Sequence, residues 1–194
     1  MASPAIDFML SRKSPPIPEL KGPGPNDEEI ETMIRVAAHV PDHGRLAPWR
    51  FIVYRGDARQ RVGELLADLA EQREGPLTEV RRNQELARFS RAPLVIGVVF
   101  TPKAHPKIPE WEMLLSAGAA AMSLVLAATG LGYGANWITN WYSDTEEGRR
   151  VLGLAPDERV VGFVHIGTFD GVVADRPRPE VSSVMSEYTG PWAG

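Results

Sequence analysis

Ile30, Met33, Ile34 and Ala37 recur at i, i+3, i+4 and i+7 behind the polar run Asn26-Asp27-Glu28-Glu29. That spacing predicts a helix with one buried face. The run ahead of it supplies an N-cap, acids for the first turn, and Glu29 at capping-box distance from Asn26. Pro41 stops the helix. Arg50 to Tyr54 then reads as a strand, and Asp57 to Gln72 as a helix with Val62, Leu65, Leu66 and Leu69 inward. Residues 78–90 predict a second helix, basic and largely exposed. Leu94 to Phe100 is a continuous apolar run rich in β-branched residues, suited to a central strand covered on both faces. Met113 to Leu131 is apolar except for Ser116, Ser123 and Thr129, which predicts a long buried helix. A glycine turn at 130–134, a short strand near 134–138 and a helix from about 144 to 152 follow. Val160 to Ile166 predicts a second central strand.

The two ends behave differently. Residues 4–11 can form a short helix, after which five prolines and two glycines forbid regular structure. This stretch, about 12–25, reads as an extended arm lying across the body. The tail, about 175–194, holds three prolines and is expected to be extended as well. Strands separated by helices, with no internal repeat, predict one three-layer α/β or α+β domain spanning 1–194.

Charge and composition narrow the function. There are 21 Lys+Arg against 25 Asp+Glu, a net charge of −4, so no global positive field exists to draw in nucleic acid or anionic lipid. No cysteine is present, which excludes disulfides, Cys-ligated zinc, iron–sulfur clusters and thiol catalysis. The 113–131 stretch could reach across a bilayer. It is dominated by alanine, however, and Glu110 and Glu112 give it no positive anchor. Met1 to Ser11 carries no secretory pattern, so a cytoplasmic, soluble protein is expected.

Gly130-Leu131-Gly132-Tyr133-Gly134-Ala135 can be written G-x-G-x-x-A. A dinucleotide fingerprint needs a strand before it and a helix after it, and here the order is reversed, which favours a helix C-cap and turn. His39 and His43 are four apart, but Pro41 lies between them and no H-E-x-x-H pattern occurs, so no metal site is expected. Asp42 could orient the His43 imidazole, although no G-x-S-x-G elbow supplies a serine. His165, in an apolar strand, reads as a satisfied core or edge residue. Trp49, Trp137, Trp141 and Trp192 sit beside polar or turn residues, and serve either packing or a flat pocket for a planar ring. Arg12, Lys13 and Ser14 form a compact donor group suited to a terminal phosphate, or else a solvated helix end.

Taken in order, these segments resemble the FMN-dependent nitroreductase family. Ser11-Arg12-Lys13-Ser14 is similar to its N-terminal Arg-x-Ser phosphate clasp. The segment from Pro41 through Pro48-Trp49-Arg50-Phe51 resembles its Pro-Ser-x-x-Asn-x-Gln-Pro-Trp-x-Phe run. Ser116 to Ala121 resembles the central dimer helix, followed by Gly130-Leu131-Gly132, and Val164 to Thr168 the final core strand. Asp42, Arg45 and Ala47 replace the family's Ser, Asn and Gln, and Pro16 stands where a further cation is usual. These departures resemble a short subgroup with Pro-Asp-His at this place.

The resemblance implies an α+β homodimer with a mixed central sheet, a long interface helix and FMN at each subunit boundary. It implies that Arg12, Lys13 and Ser14 bind the flavin, together with Trp137, Ile138 and Thr139, and with His39 and His43 reaching from the partner subunit. Arg176 or Arg178 would be a second cation at the phosphate. The implied activity is ping-pong reduction of nitro compounds, quinones or related acceptors by NAD(P)H. The flavin carries that redox chemistry, so no catalytic protein residue is named. A flavin-binding or flavin-modifying protein without general reductase activity is the alternative, and a cofactor-free hydrolase using Asp42 and His43 is a third reading.

Overall fold

The computed structural model describes residues 3–191. Four strands, β1 (Trp49–Tyr54), β2 (Leu94–Phe100), β3 (Gly134–Ile138) and β4 (Arg159–Gly167), form a sheet in the order β1-β2-β4-β3. Every pairing is antiparallel. The expected mixed sheet is therefore corrected for the described residues. β2 and β3 do run in the same direction, but β4 lies between them, and β2 likewise separates β1 from β4.

The continuous apolar run in β2 has its expected cause. Leu94, Ile96 and Val98 pack into a layer with α2 (Asp27–Ala37) and α5 (Glu110–Gly130), while Val95 and Val99 face α3 (Asp57–Glu74) on the other side. The result is a three-layer α+β arrangement. The Asn26–Glu29 capping box forms in both directions, and Ile30, Met33 and Ala37 are buried behind it. Leu65 departs from the reading: it lies at the margin of the α3 stripe and is 49% exposed.

The second helix, α4 (Glu79–Leu86), is shorter than 78–90 because Phe89 and Ala92 turn inward after it. Glu85 on that helix is fully buried, held by Arg81 and Arg88. α6 (Glu146–Val151) is similarly trimmed by its Thr145 cap.

α5 begins at Glu110 and shows two faces. Met113, Ala117, Ala120, Leu124 and Ala128 are buried against the sheet. Trp111 and Leu115 are 62% and 64% exposed, with Leu114 and Met122 beside them. The expectation of a helix buried all round is therefore not met within one chain. This is also the one helix among the described residues that is long and apolar enough to cross a membrane.

The arm after α1 (Pro4–Ser11) is anchored rather than loose. Pro15, Ile17 and Leu20 are buried, Lys21 bridges to Thr168, and the Asn136 amide donates to the Pro15 carbonyl at 2.7 Å. The tail is extended except for one turn, α7 (Val181–Val184), where the Ser183 amide and hydroxyl both donate to the Glu180 carbonyl. Trp192 lies outside the described residues.

Candidate functional site

Arg12 caps the C-terminal end of α1, and its guanidinium donates to the Ser14 hydroxyl at 3.0 Å. Lys13 donates to the Val173 carbonyl at 2.9 Å, which draws the tail alongside the arm. Together the two segments enclose a recess of about 190 Å³ lined by Arg12, Lys13, Ser14, Asp175, Arg176 and Arg178. Burial, and then the nearby Arg178 and Arg176 charges, depress the Arg12 pKa. The only acid in the lining, Asp175, stands 3.8 Å from Arg178. Four cations around so small a space call for an anion carrying more than one charge. The chain fold supplies Arg176 and Arg178, whose approach to Arg12 no local pattern encodes.

A second recess of about 380 Å³ adjoins the first through Lys13 and is bordered by Pro15, Gly132, Tyr133, Gly134 and Phe169. Gly132 has φ +88°, while a side chain at Gly134 would collide with Leu20 and Phe169. The Tyr133 amide closes onto the Ala128 carbonyl. This turn ends α5 and leads into β3, as the C-cap reading has it.

The loop after α2 makes a third feature. Gly44, Arg45 and Ala47 have φ of 74°, 54° and 45°, so two non-glycine residues sit in the left-handed region. Such conformations cost of order 1–3 kcal/mol each and persist only where surroundings enforce them. Here the Asp42 carboxylate accepts from the Leu46 and Ala47 amides at 3.1 and 2.8 Å. The Ser116 hydroxyl donates to the Pro41 carbonyl at 2.7 Å and accepts from the Trp49 indole at 3.2 Å. His43 Nδ1 lies 2.8 Å from Glu112 Oε2 on α5. Asp42 is thus committed to backbone amides and does not orient His43, which corrects the sequence expectation. The proposed hydrolytic pair is not assembled. His43, Glu112, Leu115 and Ala119 border a recess of about 350 Å³.

The remaining predicted residues lie elsewhere on the chain. His39 is exposed just beyond α2. Trp137 lies on the edge strand β3, its indole pressed against Gly162, where a Cβ would leave it no room, and donating to the Val161 carbonyl at 3.3 Å. Ile138 packs on the arm beside Ile17 and Leu20, and Thr139 is exposed. One chain therefore brings Arg12, Lys13 and Ser14 together. It leaves His39 and His43, and the 137–139 tripeptide, in separate places. Among the described residues, no three His, Asp or Glu side chains converge as metal ligands.

His165 also departs from expectation. It is fully buried, but among the described residues neither ring nitrogen has a hydrogen-bond partner. Burial, with the Arg91 charge adding to it, pushes its pKa down to about 3, so it is a neutral ring beside Phe89.

Comparison with known proteins places these features in context. The Nitroreductase family matches residues 20–168. The chain is 31% identical over 166 residues to the Escherichia coli (strain K12) protein named "Putative NAD(P)H nitroreductase YdjA", covering 84% of this chain and 87% of that one. It is 35% identical over 167 residues to the Haemophilus influenzae protein named "Putative NAD(P)H nitroreductase", covering 84% of this chain and 88% of that one. The fold matches a nitroreductase-like family protein from Bacillus cereus with a TM-score of 0.81, at 20% identity over 98% of both chains. It also matches a nitroreductase with bound FMN from Bacteroides fragilis, with a TM-score of 0.71, at 17% identity over 96% of this chain and all of that one.

Proposed function

The chain belongs to the nitroreductase family, and from that membership we propose that it is an FMN-dependent oxidoreductase. It takes reducing equivalents from NAD(P)H and passes them to nitro compounds, quinones or related acceptors. The observation that carries this reading is the recess of Arg12, Lys13, Ser14, Arg176 and Arg178. Its donor set fits a phosphate monoester, with a charge near −2, better than any neutral ligand. Arg12 and Ser14 bind the phosphate, Arg176 and Arg178 complete its neutralisation, and Lys13 holds the tail in place through Val173. When bound, the flavin supplies hydride acceptance and donation. The protein's own work is to hold it, to leave one ring face open and to set donors near the ring.

The functional unit in this reading is a homodimer. The exposed face of α5, from Trp111 through Leu115 to Met122, is an apolar stripe that a second copy would cover. Such a contact also accounts for the scatter of the flavin-binding candidates, since His39 and His43 would serve the partner's flavin. Trp137, Ile138 and Thr139 would line the same boundary. The protein is cytoplasmic in this reading, with α5 buried in the dimer rather than in lipid.

A visible spectrum of the purified protein, with its chromophore extracted and identified, tests the cofactor. Bound FMN should then bleach anaerobically with NADH or NADPH and regain colour when a quinone or nitroaromatic is added. Steady-state kinetics should be ping-pong. A flavoprotein that neither nicotinamide bleaches would sink the reductase reading and leave a flavin-binding or flavin-modifying protein.

A further inference from the structure

Glu112 is the first-turn acid of α5 that faces inward toward the 42–47 loop, and its carboxylate meets His43 Nδ1 at 2.8 Å. Several contacts hold the loop that carries His43 against α5. Ser116, one turn further along α5, holds Pro41. Trp49 holds Ser116. Gly44 approaches Ile108 so closely that a Cβ there would collide with the Ile108 side chain. Ile108 is itself set by the turn in which His105 Nδ1 accepts its amide at 3.1 Å. This loop holds Arg45 and Ala47 at positive φ, and the imidazole it carries meets the Glu112 carboxylate.

We propose that Glu112 is a positioning residue for His43. Building on the flavin reading above, the pair presents the imidazole to the flavin ring at the subunit boundary. The carboxylate accepts a hydrogen bond from Nδ1–H and so fixes both ring orientation and tautomer. Nε2 is then the ring nitrogen left for the ligand, and His43 borders a recess it shares with Pro41, Glu112, Leu115, Ser116 and Ala119. Glu112 touches no ligand in this arrangement. Its effect runs wholly through His43, just as an orienting carboxylate acts through a metal-bound histidine.

The test is a double-mutant cycle read by FMN affinity, together with nitrogen-15 NMR of the His43 ring in flavin-free protein. Glu112→Ala should weaken FMN about tenfold and abolish the preference for the Nδ1–H tautomer. Glu112→Gln, which keeps the shape and an acceptor oxygen, should recover part of both. In a His43→Ala background, Glu112→Ala should weaken FMN no further, because the residue through which it acts is gone. Equal weakening in both backgrounds, or a tautomer preference that survives Glu112→Ala, overturns the assignment. Failure of the unmodified protein to bind FMN would instead overturn the functional reading, and is seen before any variant is made.

Discussion

The Lys13 ammonium donates to the Val173 carbonyl at 2.9 Å, tying together segments 160 residues apart in the chain. Through that bond the tail runs back along the arm, and Arg176 and Arg178 arrive beside Arg12. The recess exists because of this long-range closure, not because of any single motif.

Arg12→Ala should weaken FMN by about 1.5–3 kcal/mol, roughly tenfold or more, because it removes charge-assisted donors to a phosphate. Riboflavin, which has no phosphate, should bind the variant and the parent almost alike. Fluorescence titration with both flavins checks this. Parallel losses would place the phosphate elsewhere.

Met122→Glu puts a charge on the exposed apolar face of α5. If a second copy covers that face with an interface above about 2,000 Å², the variant should dissociate and release its flavin together. Sedimentation at low micromolar concentration, followed at protein and flavin wavelengths, reads both events. A monomer that keeps one FMN per chain would sink the shared-site arrangement.

Glu158, 4% exposed, receives Arg50 through two bonds of 2.6 Å, the Ala155 amide at 2.8 Å and the Thr101 hydroxyl at 3.2 Å. The Arg50 hydrogen bonds, foremost, hold its pKa down to about 2 against a usual 4.5. A depressed carboxylate stabilises the fold above its unfolded pKa, so this contribution should be complete above about pH 4.5 and vanish as pH falls toward 2. Glu158→Gln should cost about 1–3 kcal/mol at neutral pH, a range discounted because the Arg50 side chain is 41% exposed. Denaturant unfolding of parent and variant at pH 7 and pH 3 should show the gap narrowing in acid.

His165 acts over a different window. Its folded pKa, about 3, lies below the ordinary 6.5. Between those values the unfolded chain binds a proton that the folded chain refuses, so stability falls as pH drops from 6.5 toward 3. The cause is burial among Phe89 and the strand neighbours Val95 and Asn136, with Arg91 the nearby charge. His165→Leu should be close to neutral in stability at pH 7, since it removes an orphaned polar ring, and should flatten the slope between pH 6.5 and 4.

Local rules made much of this fold legible. The capping box at Asn26, the bounds of β2 and the bounds of β3 follow from patterns within a few residues. Features set by distant partners were not legible. Glu85 reads as a solvated helix acid, yet Arg81 and Arg88 close over it as the chain after α4 turns inward. The exposed face of α5 looks identical in sequence to its buried face, because alanine and leucine serve either. Asp42 beside His43 suggests a pair in one dimension. In three, the loop turns the carboxylate to its own amides, and the imidazole finds Glu112 sixty-nine residues away.

The recess of like charges also has a mechanical consequence. Arg12, Arg176 and Arg178 repel one another across the recess, and the Lys13–Val173 bond holds the tail on the arm against that repulsion. A phosphate bound there, as proposed, would reverse the sign of the force and turn the same residues into a latch. If the flavin phosphate binds here as proposed, cofactor occupancy and the protease resistance of residues 175–191 become linked quantities. In that reading the flavin-free chain would offer its tail to a protease and the loaded chain would hide it, so the lifetime of the polypeptide would measure whether it has been charged.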